Sequence, residues 1–323
     1  MDGAHVAAKR QGTRWAVTLT LSASLLASCS IPGAADRETS PARTASGPAT
    51  PSGDTAAQST PDETLGELPT VPATDSVAAL ARQLNRAAAT TRRRDATATD
   101  VRRAAEFEQL AVRALAGASA AYRRGVTSRL DPDTALVVRS MVRAARSLAS
   151  MAPSRPRRQV QLPRWRIVAP PPATELLGYY REAQRRTGVS WTFLAAIHLV
   201  ETRMGRIRGV STAGAQGPMQ FLPSTWDLYG AGGDVTDPRD AILAAARLLK
   251  AKGAPGDMAD ALWHYNQSKK YVRAVSEYAG TMQRSSSAYR SYWNWRVFYR
   301  HARGTYVLPV GYPKTRPVPL PRS

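Results

Sequence analysis

Glu201-Thr202, followed by Ser211-Thr212-Ala213-Gly214-Ala215-Gln216-Gly217-Pro218-Met219-Gln220-Phe221-Leu222-Pro223-Ser224-Thr225-Trp226, is the stretch on which the reading of this chain turns. Ser190 is suited to cap a helix carrying Leu194, Ile197 and Val200 at helical spacing, and Glu201 stands at its end. No other carboxylate follows until Asp227. A carboxyl group in apolar surroundings holds its proton to higher pH, because burial penalises the charged form. Such a group can act as a general acid near neutrality. The run after it is rich in Gly and Ala, which suits a loop whose backbone approaches a ligand closely.

Outward from that stretch, helical patterns continue on both sides. A helix with Leu176, Leu177, Tyr180 and Ala183, capped by Thr174, is expected to stop at Gly188. Asp237 caps a helix with Pro238 in its first turn and Ala241, Leu243, Ala244, Leu248 and Leu249 on its apolar face. Asp257 opens another through Ala261, Leu262 and Trp263, and Tyr271 to Met282 forms a fifth. No strand is read anywhere. The fold class expected is mainly α.

The flanks differ in composition. Residues 75–152 are rich in Ala, Leu, Val and Arg and read as a module of about three helices, the last headed by Asp131-Pro132-Asp133. Arg92, Arg93, Arg94, Arg102 and Arg103 fall mostly on polar faces. Residues 153–173 form a Pro-rich connector with five Arg, which Trp165 and Ile167 could pin to the next domain. Residues 284–323 form a basic aromatic extension with eight Lys or Arg and no acid. Tyr289, Tyr292, Trp293, Trp295, Phe298 and Tyr299 suit one face of a helix. Tyr306 to Leu308 is extended at most, since Pro309 would break a central strand, and the tail from Pro313 reads as disordered.

The whole chain has 323 residues, 43% hydrophobic, with 45 Lys and Arg against 24 Asp and Glu, a formal charge of +21. That excess favours polyanionic partners, and charge alone does not choose among nucleic acid, lipid headgroups and acidic polymers. The single cysteine, Cys29, excludes an internal disulfide and a Cys-based zinc site. It closes Leu26-Ala27-Ser28-Cys29, behind the basic residues Lys9, Arg10 and Arg14 and an apolar run from Trp15 to Ala27. The run is too short to span a bilayer and reads as an export signal, residues 1–29. Residues 30–74 are rich in Pro, Ser, Thr, Ala and Gly and read as a disordered tether. Gly230 to Asp237 has too few acids for a calcium loop, so no metal site and no cofactor are expected. His198 and His264 lack a nucleophilic partner and read as structural.

Three blocks then carry a resemblance. Glu201-Thr202, Ser211-x-x-Gly214-Ala215-x-Gly217-x-Met219-Gln220, and Ala261-Leu262-Trp263-His264-Tyr265-Asn266 resemble, in order, the motifs of lytic murein transglycosylases. Gly217-Pro218-Met219-Gln220-Phe221 with Pro223-Ser224-Thr225-Trp226 looks like the actinobacterial version. Thr202 departs mildly from the Ser of many relatives. The resemblance implies a lysozyme-like catalytic domain over 174–283. Peptidoglycan glycan strands would be the substrate and Glu201 the acid/base. Ser211, Met219, Gln220, Tyr265 and Asn266 would line the groove. Most glycosidases need two carboxylates; with one, the muramyl 6-hydroxyl and the 2-acetamido group of the substrate would supply the second function. Leu-Ala-Ser-Cys resembles a lipobox, which implies lipidation at Cys29 and a lipid anchor on the outer face of the cytoplasmic membrane. Anionic wall polymers or lipid headgroups are then the expected partners of the basic flanks, and nucleic acid is not. A hydrolytic muramidase and a catalytically idle scaffold lipoprotein remain open as alternatives.

Overall fold

A computed structural model describes residues 75–152 and 160–320. Four helices open it: α1 (Val77–Arg92), α2 (Ala98–Gly117), α3 (Ala120–Thr127) and α4 (Pro132–Ala149). The sequence pattern suggested about three. The extra break falls where Ser119 caps α3, its side chain accepting the Tyr122 N–H. Asp131 precedes Pro132 as expected but does not cap with its side chain. That carboxylate instead accepts from the Asn85 amide at 3.2 Å, and the Asp131 N–H donates back to Asn85 at 3.1 Å, tying α4 to α1.

The connector holds β1 (Arg166–Ile167), and after it come α5 (Ala173–Thr187), α6 (Trp191–Thr202), β2 (Ile207–Arg208), α7 (Pro223–Tyr229), α8 (Pro238–Ala251), α9 (Met258–Tyr265), α10 (Lys269–Arg284) and α11 (Ser286–Trp293). α5 begins behind Pro172 rather than at Thr174, and it ends at Gly188 in the left-handed conformation that glycine tolerates best. Asp237 caps α8 through the Asp240 N–H, and Asp257 caps α9 through the Asp260 N–H. α7 was not read from sequence; Pro223 in its first turn is the signal that marks it.

The C-terminal part departs from the aromatic helix and the disordered tail expected of it. β3 (Val297–His301) and β4 (Gly304–Leu308) form an antiparallel hairpin, and β5 (Val318–Pro319) pairs with β4. The aromatic helix therefore stops at Trp293. Trp295 sits in the turn, and Phe298 and Tyr299 lie on opposite faces of a strand. The period changes from 3.6 to 2 within the aromatic cluster, and the cluster hid that change. Pro309 lies just past β4, so β4 can be the central strand. The tail is ordered as far as its pairing with β4, and Pro319 is confined to an edge strand, where a missing N–H costs least.

Packing joins these parts. α4 lies along α10, α10 along α6, and α5 against α8. One continuous core takes Leu80, Leu115 and Met141 from the first helices, Leu194 and Ile197 from α6, and Tyr278, Tyr292 and Trp295 from beyond. A smaller core of Ile167, Ile207, Val297, Tyr299, Leu308 and Tyr312 lies under the sheet. The connector is pinned there: Ile167 pairs with Ile207, and Trp165 meets Tyr299 edge-on at 5.8 Å. No described helix is long and apolar enough to cross a membrane.

α2 carries a buried polar seam. The Gln109 side chain donates to the Arg296 carbonyl and accepts its N–H, both at 2.9 Å, and Glu106 pairs with the Arg296 guanidinium. The Ser291 hydroxyl donates to Glu108 at 2.6 Å. Burial, partly offset by that bond, raises the Glu108 pKa to about 7. An unfolded glutamate titrates near 4.5. The folded state therefore keeps a proton that the unfolded state has lost, and stability falls as pH rises from 4.5 towards 7. Glu108→Gln should flatten part of that fall in melting temperature. A slope unchanged by the substitution would show that Glu108 does not cause it.

Candidate active site

Three successive residues after Thr202 adopt positive φ, Arg203 at 56°, Met204 at 59° and Gly205 at 83°. They end α6 abruptly and leave Glu201 in its last turn. Thr202 fixes that end: its hydroxyl donates to the Pro218 carbonyl at 2.6 Å and accepts the Gly205 N–H at 3.1 Å. The helix carrying the acid is thereby fastened to the Gly-rich loop.

Glu201 is 9% exposed. Its Oε1 accepts a 2.7 Å hydrogen bond from the hydroxyl of Tyr271, in the first turn of α10. Burial holds that phenol well above its usual range, so it keeps its proton and donates. For Glu201, burial dominates and raises the pKa to about 7, while the Tyr271 bond, which favours the charged form, opposes it. No neighbouring carboxylate contributes to the shift. Among the described residues no group of His, Cys, Asp and Glu could hold a metal ion.

Tyr271 stacks on Tyr265, with ring centroids 6.4 Å apart and planes 5° from parallel. The Tyr265 hydroxyl donates to the Met219 carbonyl at 2.6 Å. Glu201, Tyr271, Tyr265 and the Met219 backbone therefore form one linked row across α6, α10, α9 and the loop. The Met219 side chain is fully buried, and its neighbour Phe221 meets Trp226 at 5.5 Å and Tyr265 at 6.1 Å. The loop is closed by paired hydrogen bonds between Gln216 and Phe221, each 2.8 Å. Gln220 has a φ of 53°, and its amide donates to the Gly217 carbonyl at 3.0 Å. The Ser211 hydroxyl accepts the Ala215 N–H at 3.0 Å, and its own N–H donates to the Ala215 carbonyl at 2.9 Å. Ser211 and Gln220 thus shape the loop. Asn266 is buried beside Tyr265 and closes α9, its N–H donating to the Leu262 carbonyl at 3.0 Å. Cys29 lies outside the described residues.

Tyr271 was missed as a site residue. With Ala274, Val275, Tyr278 and Met282 it lies on the buried stripe of α10 and reads as core. The one signal is that this stripe uses tyrosines where phenylalanine would fill the space without a polar atom to satisfy. His198 stays structural: its Nδ1 lies 2.7 Å from the Tyr180 hydroxyl, and burial lowers its pKa to about 3. His264 faces Asp260 at 3.5 Å on the outside of α9.

The chain is mainly α, with one buried, protonatable carboxyl at a helix end beside a Gly-rich loop, and a family match gives it a lysozyme-like domain behind a helical module. Residues 178–287 match the family model described as Transglycosylase SLT domain, which supports lytic transglycosylase activity on peptidoglycan. Neither a curated protein nor a solved structure matches the chain.

Proposed function

We propose that the protein cleaves the MurNAc–GlcNAc bond of peptidoglycan without water and leaves 1,6-anhydro-MurNAc ends. The observation that carries this reading is Glu201: a single acid, nearly buried, with its pKa raised to about 7 and no second carboxylate acting on it. Neutral Glu201 protonates the glycosidic oxygen as the bond to the anomeric carbon breaks. The substrate's acetamido oxygen shields the cationic carbon. The Glu201 carboxylate then takes the proton of the muramyl 6-hydroxyl as its oxygen closes on that carbon. The acid is restored, and no water is consumed. Tyr271 keeps its hydrogen bond to Oε1 through both steps and steadies the charged form between them.

Mass spectrometry of muropeptides from purified wall tests the reading. The anhydro product is one water lighter than the product of a hydrolytic muramidase, and no product at all would indicate an idle scaffold. Activity requiring the neutral acid should fall as pH rises through about 7. Tyr271→Phe removes the bond that lowers the Glu201 pKa, so that limb should move to higher pH while stacking on Tyr265 persists. An unmoved limb would mean that Tyr271 does not tune the acid.

We infer the location from the segment around Cys29: lipidated, tethered, and facing the wall from the outer face of the cytoplasmic membrane. Stable anchoring needs more than one acyl chain. Cys29→Ala should release the protein from membranes and abolish labelling by radioactive palmitate. Equal labelling of both forms would sink the anchor. The basic stretches on either side of the domain would hold anionic wall polymers or lipid headgroups, and wall retention should fall with added salt as the Debye length shrinks.

A further inference from the structure

Two arginines from different elements lie over aromatic rings, and a third lies beside them on a strand. Arg113 of α2 places its guanidinium carbon 5.2 Å from the centroid of Phe298. Arg203, at the turn after α6, places its own 5.8 Å from the ring of Trp295 and donates to the Leu199 carbonyl at 3.3 Å. Arg300 shares the outward face of β3 with Phe298, because side chains two apart on a strand point the same way. Trp295 is itself wedged against Tyr292 at 4.8 Å and Tyr278 at 5.9 Å, so the platform is fixed. None of the three arginines has an acidic partner among the described residues. The contrast with the rest of this seam is sharp, since two turns back on α2 Glu106 is paired with Arg296.

We propose that Arg113, Arg203 and Arg300 form a binding site for the phosphate groups of an anionic polymer strand. The three cations are close enough to repel: desolvation first, and then the charges of Arg203 and Arg300, hold Arg113 down at about 10, although the residue as a whole is exposed. Like charges held together without an acid favour an anion as the missing partner. A single guanidinium fork satisfies a planar carboxylate. Forks arriving from three elements suit the tetrahedral oxygens of phosphate instead. Arg203 is half-buried while Arg113 and Arg300 are exposed. A slim strand can reach all three, whereas a flat membrane would touch only the outer two. The site does not depend on the catalytic reading of Glu201.

Titration of the full-length chain with poly(glycerol phosphate) at fixed ionic strength tests this. The Arg113→Gln, Arg300→Gln pair should weaken binding by about tenfold or more, as the loss of charge-assisted bonds predicts. The charge-matched pair Arg94→Gln, Arg103→Gln, on exposed sites elsewhere, should change it by no more than about twofold. Lysine at positions 113 and 300 keeps the charge but removes the forks, and should also weaken binding. The proposal is overturned if both glutamine pairs weaken binding equally, or if the lysine pair binds as the wild type. It is also overturned if polyglutamate binds as well as the phosphate polymer. Absence of binding by the wild type, or dependence of anionic-vesicle binding on the same arginines, would overturn it as well. Cleavage of phosphate-free glycan and the melting temperature serve as controls that each variant is folded.

Discussion

Glu201→Gln should reduce glycan cleavage by about a thousandfold or more, the loss expected when a positioned general acid is removed. The change is nearly isosteric, and the amide can still accept from Tyr271. The fold should therefore survive, and melting at pH 5, where the wild-type carboxyl is neutral, should barely move. At pH 8 the variant should be the more stable of the two. The folded pKa of about 7 lies above the ordinary glutamate value of 4.5, so the wild type loses stability as pH rises through that window and glutamine does not. Activity within about tenfold of wild type would assign the chemistry to another acid. A melting temperature lowered at pH 5 would show instead that the variant disturbs packing.

Gly217→Ala is the second large effect. The φ of Gly217 is 71°, and a Cβ there would lie 1.9 Å from the Val235 carbonyl oxygen. That contact is with backbone, which cannot swing aside as a side chain can. Strain and overpacking together should cost about 3 kcal/mol, or roughly 10 °C in melting temperature. Activity should fall further than stability explains. Gly217 also offers its carbonyl to Gln220, and the same loop presents the Met219 carbonyl to Tyr265. Gly214→Ala is the matched comparison: φ is 83°, but nothing lies within 4 Å of the added carbon. It should cost only about 1 kcal/mol, the penalty of the backbone conformation alone. Equal melting temperatures for the two variants would mean that the Val235 contact relaxes freely.

Much of the catalytic region was legible because its signals are local. Capping by Ser190, Asp237 and Asp257 depends on side chains reaching N–H groups two or three residues away, so these helix starts follow from sequence. The apolar stripe ending in Glu201 likewise placed a carboxyl where burial would hold its proton. The β3–β4 hairpin was not legible, since an aromatic cluster with apolar residues at both helical and strand spacing supports either period, and only packing on Ile167, Ile207 and Tyr312 selects the strand.

The sequence by itself determined the helices from α5 to α10 apart from α7, the lone acid at the end of α6 and the need for small residues in the loop that follows, because each depends on neighbours along the chain. Tertiary structure alone decided the hydrogen bond from Tyr271 to Glu201, 70 residues apart, and the seam from Glu106, Glu108 and Gln109 to the C-terminal segment, more than 180 apart. It also brought Arg113, Arg203 and Arg300 together. These are contacts between side chains that periodicity marks only as buried or polar. Which buried tyrosine meets which acid is fixed by how the helices pack, and that is a property of the whole core rather than of any one stretch.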